Sequence, residues 1–357
     1  MSATNKDFAI ILTWPDATIR GDEKWMMFFK KIGIVKNLNF KVGHTGVVLV
    51  NHADGSMYFY DFGRYITPRG YGRARSKDSD PLLEIDLKAE IKEGEIHNLE
   101  AIIEKFELMK PAMYGEGKLF FSIVNNIDFQ KAKTYGDDCV MQGTYPYGAV
   151  ARNNNNCSRF ITRMLMLASP KYHFWHYINL PETIKSSPVS NLINAVNDRM
   201  IYSYTPEEGI KHFKMNRFQS FWFLVKQLGD NVNPIKAKKL PNDLIIGSMK
   251  FNSKPITVPK NAVYLGGVGD GAWYTIEDSD ETGFVKIQRF TTGGILEYTV
   301  KGKPTVAIDL NEDWHIEYDS HLLFTHIRQN GQKIKINHVE RLPNDKYDFE
   351  NLKERYA

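Results

Sequence analysis

The chain has 357 residues, of which 42% are hydrophobic, 25% charged and 13% aromatic. This composition is ordinary for a soluble globular protein, and the length predicts two domains because it exceeds the usual size of one hydrophobic core. The formal net charge is only +4 and the basic residues are dispersed, which argues against a nucleic-acid-binding protein.

The cysteine content and the first apolar run bear on the cellular compartment. Cys139 and Cys157 are the two cysteines, and so low a count favours a reducing compartment over a disulfide between them. The apolar run 8–14 is too short to cross a bilayer, and no secretory signal is visible. We therefore predict a cytoplasmic protein without a membrane span.

The first half of the chain alternates β-prone and helical patterns. In chain order, these patterns predict a strand over 7–14, a helix over 22–33, strands over 41–51 and 57–65, a loop over 69–80, a strand over 82–87, a helix over 96–110, a strand over 117–124, and helices over 128–142 and 157–168. The tetrapeptide His52–Ala53–Asp54–Gly55 between two β-prone runs is a strong hairpin signal.

Two helical stretches are predicted within 181–230, and the composition of the chain changes after them. Residues 231–242 are rich in proline and lysine and are interpreted as a linker. From 243 to about 340, short strands alternate with turns at Asp270–Gly271, Gly293–Gly294 and Asn330–Gly331, a pattern typical of a small β domain. The predicted domains are thus 1–230 and 243–357. The glycine-rich run 266–271 is interpreted as a turn, because β-prone residues and not a helix follow it.

A polar run that ends in Cys157 is the strongest candidate for catalytic chemistry. Four asparagines, 153–156, precede this cysteine, and an apolar helix follows it, with Asn156 predicted as the N-cap. A helix N-terminus stabilises a thiolate, although a buried cysteine at the start of a core helix is a common alternative. Cys139 is the weaker nucleophile, because neighbouring acidic residues would raise the pKa of its thiol.

His44 begins a β-branched strand and is the candidate general base. The residue that orients it depends on the hairpin. A four-residue loop with Gly55 in the left-handed conformation places His44 opposite Gly63 and Asp61 diagonal to it, whereas a two-residue turn places His44 opposite Tyr65. Asp61 is the candidate orienting residue, with Tyr60 and Arg64 as reserves. The backbone N–H of Cys157, with Asn156 in support, is the candidate oxyanion donor.

The sequence supports a functional role less strongly for the other polar residues. The basic loop residues Arg73 and Arg75, together with Tyr147, are candidate substrate-binding residues, although a solvated loop is the ordinary interpretation of such a cluster. His173 and His176 are spaced as a metal pair, but no further ligand lies at ligand spacing, so no metal and no cofactor are predicted.

The order of the site residues, with histidine on a strand before cysteine on a helix, is the reverse of that in ordinary papain-like enzymes. Together with the run Gly43–Val50, the aromatic run Tyr58–Gly63 and the segment Asn156–Phe160, it resembles the circularly permuted papain-like cysteine hydrolases. That group includes lecithin:retinol acyltransferase-like enzymes and relatives of bacterial cell-wall amidases. The resemblance covers about residues 7–170. A closer similarity, to an uncharacterised bacterial family, rests on residues 60–65, 70–76, 156–160 and 264–269.

The resemblance implies an α+β fold: a permuted papain-like domain, with an antiparallel sheet and packed helices, followed by a smaller β-rich domain. It also implies a nucleophile at Cys157 and a base at His44, with a polar orienting residue whose identity varies. We therefore predict a thiol-dependent hydrolase or acyltransferase that cleaves an amide, or less favourably an ester, in a small-molecule or peptide substrate. The alternative is a non-catalytic binding or structural module whose C-terminal β domain recognises a protein partner.

Overall fold

The computed structural model of the chain describes residues 6–21, 23–148, 153–169, 187–240, 253–267 and 271–343. The chain divides into two compact units. The first consists of Met1–Gly63, Gly72–Lys77 and Pro81–Asp243, and the second of Arg64–Tyr71, Asp78–Asp80 and Leu244–Ala357. Two short segments from the first half of the sequence thus belong to the second unit.

The strands of the first unit are β1 (Asp7–Trp14), β2 (Thr18–Arg20), β3 (Asn39–Lys41), β4 (His44–Val50), β5 (Met57–Gly63), β6 (Tyr71–Arg75), β7 (Ile91–Lys92), β8 (Glu95–Ile96), β9 (Leu119–Ile127), β10 (Thr144–Pro146), β11 (Met200–Thr205) and β12 (Gly209–Lys214). Its helices are α1 (Lys24–Lys31), α2 (Leu99–Leu108), α3 (Phe129–Gln142), α4 (Cys157–Ala168), α5 (Pro188–Ala195), α6 (Arg217–Gly229) and α7 (Pro234–Ala237), with a 3₁₀ turn at Pro81–Leu83. Eight strands form the main sheet, in the order β10-β6-β5-β4-β1-β9-β11-β12.

Strand β1 lies at the centre of this sheet and is buried on both faces. Its alternate residues Phe8, Ile10, Leu12 and Trp14 belong to the core cluster that also contains the apolar side of α2. On the other face, the hydroxyl of Thr13 donates to the Pro188 carbonyl of α5. Both faces of β1 therefore contribute to packing, as expected for a nearly continuous apolar strand.

The hairpin of β4 and β5 fixes the register on which the candidate site depends. Gly46 pairs with Asp61, and the Asn51 N–H donates to the Ser56 carbonyl. Gly55 has φ +70°. Of the two hairpin geometries that the sequence leaves open, the structure therefore has the four-residue loop, and its register places Asp61 diagonal to His44.

Several predicted elements are confirmed, among them β1 and α4 with their predicted bounds. Two predictions are wrong. The loop predicted over 69–80 contains β6, on which Arg73 and Arg75 are buried, and the strand predicted over 82–87 is replaced by the 3₁₀ turn. Within 181–230, α5 and α6 correspond to the two predicted helical stretches, and the β11–β12 hairpin between them was not predicted.

The second unit contains an antiparallel sheet built from β13 (Val263–Gly266), β14 (Gly271–Asp278), β15 (Val285–Thr291), β16 (Leu296–Pro304), β17 (Trp314–Ile316), β18 (Phe324–Gln329) and β19 (Gln332–Leu342). The strand order is β13-β14-β15-β16-β19-β18-β17. The turns at Gly293–Gly294 and Asn330–Gly331 are confirmed, whereas 268–270, in the predicted turn before β14, lie outside the described residues. With a helix-covered sheet in one unit and a β-rich second unit, the predicted α+β class is confirmed.

Helices long and apolar enough to cross a bilayer do not occur in the described parts of the chain.

Replacing Gly55 with alanine should strongly destabilise the first unit. A Cβ at this position would clash with the Ala89 carbonyl oxygen, and the left-handed backbone adds strain. We expect a loss of about 3 kcal/mol or more in the free energy of unfolding, measured with urea. Gly94→Ala is the matched control, since Gly94 has a similar φ of +81° with open space around it, and should cost about 1–2 kcal/mol. Equal losses in the two variants would contradict the steric explanation.

Candidate active site

The site is built on the adjacent strands β4 and β5. The His44 imidazole and the Asp61 carboxylate are buried, and Nε2 of His44 lies 3.1 Å from Oδ2 of Asp61. Trp14 pairs with His44 across β1 and β4, and the two rings are nearly parallel with centroids 6.4 Å apart. The imidazole is thus held by a carboxylate on one strand and faced by an aromatic ring on another.

Arg75 on β6 holds the carboxylate in turn. Its Nε donates to Oδ1 of Asp61 at 3.1 Å and its Nη2 donates to Oδ2 at 2.7 Å. Nη2 also donates to the Ala112 carbonyl, and the guanidinium lies over the Tyr114 ring, 4.8 Å from its centroid. Burial alone would raise the pKa of Asp61, but the charge of Arg75 and the hydrogen bonds from His44 and Arg75 lower it to about 2. Asp61 is therefore an ionised acceptor over the physiological pH range.

The protonation of His44 follows from the same network. Burial lowers the pKa of the imidazole, but hydrogen bonds to Asp61 and to the thiol of Cys157, with the negative charges of both groups, raise it to about 9. Since Nε2 faces Asp61, Nδ1 is the nitrogen left for Cys157. The pair is thus arranged as an imidazolium beside a sulfur nucleophile at neutral pH.

Cys157 is the first residue of α4 and is buried. The Asn156 side chain accepts a hydrogen bond from the Arg159 N–H at 2.9 Å, which confirms the predicted N-cap. The N–H groups of the first helical turn lack intrahelical acceptors and carry the positive end of the helix dipole. The first-turn N–H groups beside Cys157 are therefore suited to a developing oxyanion. The Asn156 Nδ2, the side-chain donor that an oxyanion would need, donates to the Gly148 carbonyl at 3.5 Å, and an oxyanion role for this residue stays a prediction.

A support for α4 that the sequence analysis missed comes from α5. Asn191, fully buried, donates from Nδ2 to the Ser158 carbonyl at 2.9 Å and accepts from the Thr162 hydroxyl at 3.1 Å. The helix that carries it starts with a Ser187 capping box and Pro188 at its first position. This cap was a usable signal for the helix, but nothing in the sequence indicated that Asn191 faces α4.

The two shifted pKa values stabilise the fold in different pH ranges. The contribution from the raised pKa of His44 is complete below its ordinary value of 6.5 and is lost as the pH rises through about 9. The contribution from the lowered pKa of Asp61 is present above its ordinary value of 3.8 and is lost as the pH falls through about 2. Both contributions are therefore present together between about pH 4 and pH 6.5.

The predicted substrate-binding residues are placed differently from the expectation. Arg73 and Arg75 lie on β6 and are both about 2% exposed, so neither lies on a solvated loop, and Arg75 is committed to Asp61. Tyr147 is half-buried, and its ring stacks on that of Phe62. Of the reserves for the orienting residue, Tyr60 instead donates to Asp137, and Arg64 belongs to the second unit.

Among the remaining candidates, those that the structure describes do not form a second site. Burial and the charge of Asp138 raise the pKa of Cys139 to about 11, in the direction predicted from its acidic neighbours, and both cysteines are free thiols. His173 and His176 lie outside the described residues. Within the described ranges, no three His, Cys, Asp or Glu side chains are grouped so as to hold a metal ion.

Two family models match the chain. A model described as type VI secretion system effector TseH-like matches residues 9–174, and one described as the DUF6695 C-terminal domain matches residues 262–339. Among solved structures, the crystal structure of the type VI secretion system effector TseH is similar with 17% identity and a TM-score of 0.41, covering 60% of this chain and 100% of that one. No curated protein matches the chain.

The first family match contains β4, β5 and the start of α4, which carry His44, Asp61 and Cys157. Over residues 9–174 the chain is therefore similar to TseH-like type VI secretion effectors.

Proposed function

We propose that the chain is a cysteine hydrolase or acyltransferase that cleaves an amide bond through an acyl-enzyme on Cys157. The observation that carries this proposal is the position of His44 between the Asp61 carboxylate and the Cys157 thiol. A nucleophile, a base and a group that orients the base are the requirements of thiol-dependent acyl transfer. The similarity to TseH-like effectors over the same residues supports a hydrolase in general terms.

The proposed reaction has two halves. The sulfur of Cys157, its proton held by His44, attacks the substrate carbonyl, and the first-turn N–H groups of α4 stabilise the resulting oxyanion. His44 then gives its proton to the leaving amine as the C–N bond breaks, which leaves an acyl thioester. Neutral His44 next takes a proton from water, or from an acceptor alcohol or amine, and the attack of that nucleophile on the thioester releases the acyl group and restores the thiol–imidazole pair.

The protonation state of His44 favours an amide over an ester. An amine must be protonated to leave, whereas an ester alcohol leaves more readily without that help. An imidazole with a pKa of about 9 keeps its proton at neutral pH and is available to donate it.

The proposal is tested by incubating the intact chain with electrophilic amide and ester probes and locating the adducts by peptide mass spectrometry. We expect an acyl adduct on the peptide that contains Cys157, formed from amide as well as ester probes, with the Cys139 peptide as an internal reference. A chain that binds probes without forming an adduct at Cys157 would instead be the non-catalytic module.

A further inference from the structure

Two helices of the first unit are apolar on two sides. On α1, Met26 and Phe29 pack on a small apolar cluster that consists of Val35, Leu38 and Phe40. Trp25 and Phe28 on the helix and Ile32 at its C-cap are spaced i, i+3 and i+7 and are exposed. The exposed fractions of Trp25 and Phe28 are 49% and 58%. A surface helix with one apolar side packed normally presents polar residues on its other side.

Helix α6 repeats this arrangement. Leu228 packs on the same cluster as α1, whereas Phe218, Trp222 and Val225 follow at i, i+4 and i+7 and are exposed. The exposed fractions of Phe218 and Trp222 are 66% and 53%. We call these two exposed rows together the aromatic face, which consists of Trp25, Phe28, Ile32, Phe218, Trp222 and Val225.

The helices are joined into one structural element by the chain that follows each of them. Asn231, just after α6 and fully buried, donates from Nδ2 to the carbonyls of Asn37 and Asn39. The Lys36 N–H donates back to the Asn231 carbonyl. The segments that follow the two helices are therefore held together by these hydrogen bonds as well as by the small cluster.

The charge around the aromatic face is strongly positive. Residues 23–36 carry a net charge of +3 and residues 217–240 a net charge of +4, so the rest of the chain is net negative, since the total is +4. One of the few acidic groups, Asp230, pairs with Lys236. Like-charge repulsion would oppose a symmetric dimer through this surface, in which each copy would meet the same positive field.

We propose that the aromatic face binds the surface of an anionic lipid bilayer. Tryptophan and phenylalanine beside lysine are suited to the interface between acyl chains and headgroups, where the rings are buried and the cations meet lipid phosphates. Binding of this kind combines apolar burial with electrostatic attraction, so it requires both the aromatic face and negative lipid.

Vesicle co-sedimentation of the full chain tests this inference. We expect binding to vesicles of mixed phosphatidylcholine and phosphatidylglycerol that exceeds binding to pure phosphatidylcholine by about tenfold or more, and that weakens between about 0.05 M and about 0.5 M salt. The variant Trp25→Ala/Phe28→Ala/Trp222→Ala should lose about tenfold or more of this affinity at an unchanged melting temperature. The control Leu108→Ala/Met141→Ala removes exposed apolar side chains elsewhere and should bind as the unmodified chain does.

Equal binding to the two vesicle types, or equal binding by the triple variant and the control, would overturn the proposal. So would light scattering that shows a dimer of the unmodified chain which the triple variant abolishes, because the face would then be an interface between copies. Catalysis at Cys157 does not enter these measurements, so their outcome is independent of the proposed function.

Discussion

Replacing Cys157 with alanine is expected to abolish turnover of any amide probe that the unmodified chain cleaves. The variant removes the atom that would form the acyl-enzyme, and His44 and Asp61 alone provide no nucleophile of comparable strength. We expect a fall in kcat of at least about three orders of magnitude, down to the residual rate that binding and oxyanion stabilisation give.

The same variant should lose fast labelling by iodoacetamide at neutral pH. Burial and the charge of Asp138 raise the pKa of Cys139 to about 11, so its thiolate fraction near pH 7 is on the order of one in ten thousand. Cys139→Ala is the matched control and should keep both labelling and turnover. Labelling that persists in Cys157→Ala and disappears in Cys139→Ala would assign the reactive thiol to Cys139.

Replacing Asp61 with asparagine is expected to lower kcat/KM for an amide probe by about two to four orders of magnitude. The carboxylate holds the imidazole orientation and, with Cys157, raises the pKa of His44 to about 9. Without it the pKa of His44 should fall, so the alkaline limb of the pH profile, where the proton for the leaving amine is lost, should move from near pH 9 to lower pH by about one unit or more.

The ion pair with Arg75 complicates the single variant, because Asp61→Asn leaves a buried guanidinium without its counter-charge. This loss should cost about 3–5 kcal/mol of folding stability. The double variant Asp61→Asn/Arg75→Gln removes both charges and should recover part of that stability while it keeps the shifted alkaline limb. Arg75→Lys keeps Asp61 ionised but loses the two-point contact between guanidinium and carboxylate. The alkaline limb of the pH profile of this variant should therefore stay nearer pH 9 than that of the Asp61 variants. An alkaline limb that stays in place in both Asp61 variants would show that Asp61 does not set the pKa of His44.

The sequence predicted the central part of this site because the relevant signals are local. The asparagine cap fixes the start of α4 at Cys157, and Gly55 fixes a hairpin loop whose length determines which residue lies diagonal to His44. Once the length of the loop is known, counting residues from it gives the register, but the sequence also allowed a two-residue turn, so the pairing of Gly46 with Asp61 came from the structure.

The role of Arg75 could not be predicted in this way. Its residue type and its Gly- and Arg-rich surroundings suggest an exposed loop, and only the pairing of β5 with β6 brings it onto Asp61. Asn191 is a similar case, since its contact with Ser158 joins residues 33 positions apart on two different helices. A contact between side chains on distant elements produces no periodic pattern in the sequence, so the sequence does not predict it.

The division of the chain has a practical consequence for engineering. The strand that carries Arg75 is preceded by Arg64–Tyr71 and followed, after Lys77, by Asp78–Asp80, and both of these segments belong to the second unit. Within that unit, Ile66 is fully buried with Leu265, Ala272 and Ile316. A truncation near residue 243 would therefore remove the apolar residues that pack on Ile66, in a segment that precedes Arg75 by only a few residues. The C-terminal part of the chain is thus not an exchangeable module. Domain swaps or fusions in this chain would have to transfer residues 64–71 and 78–80 as well.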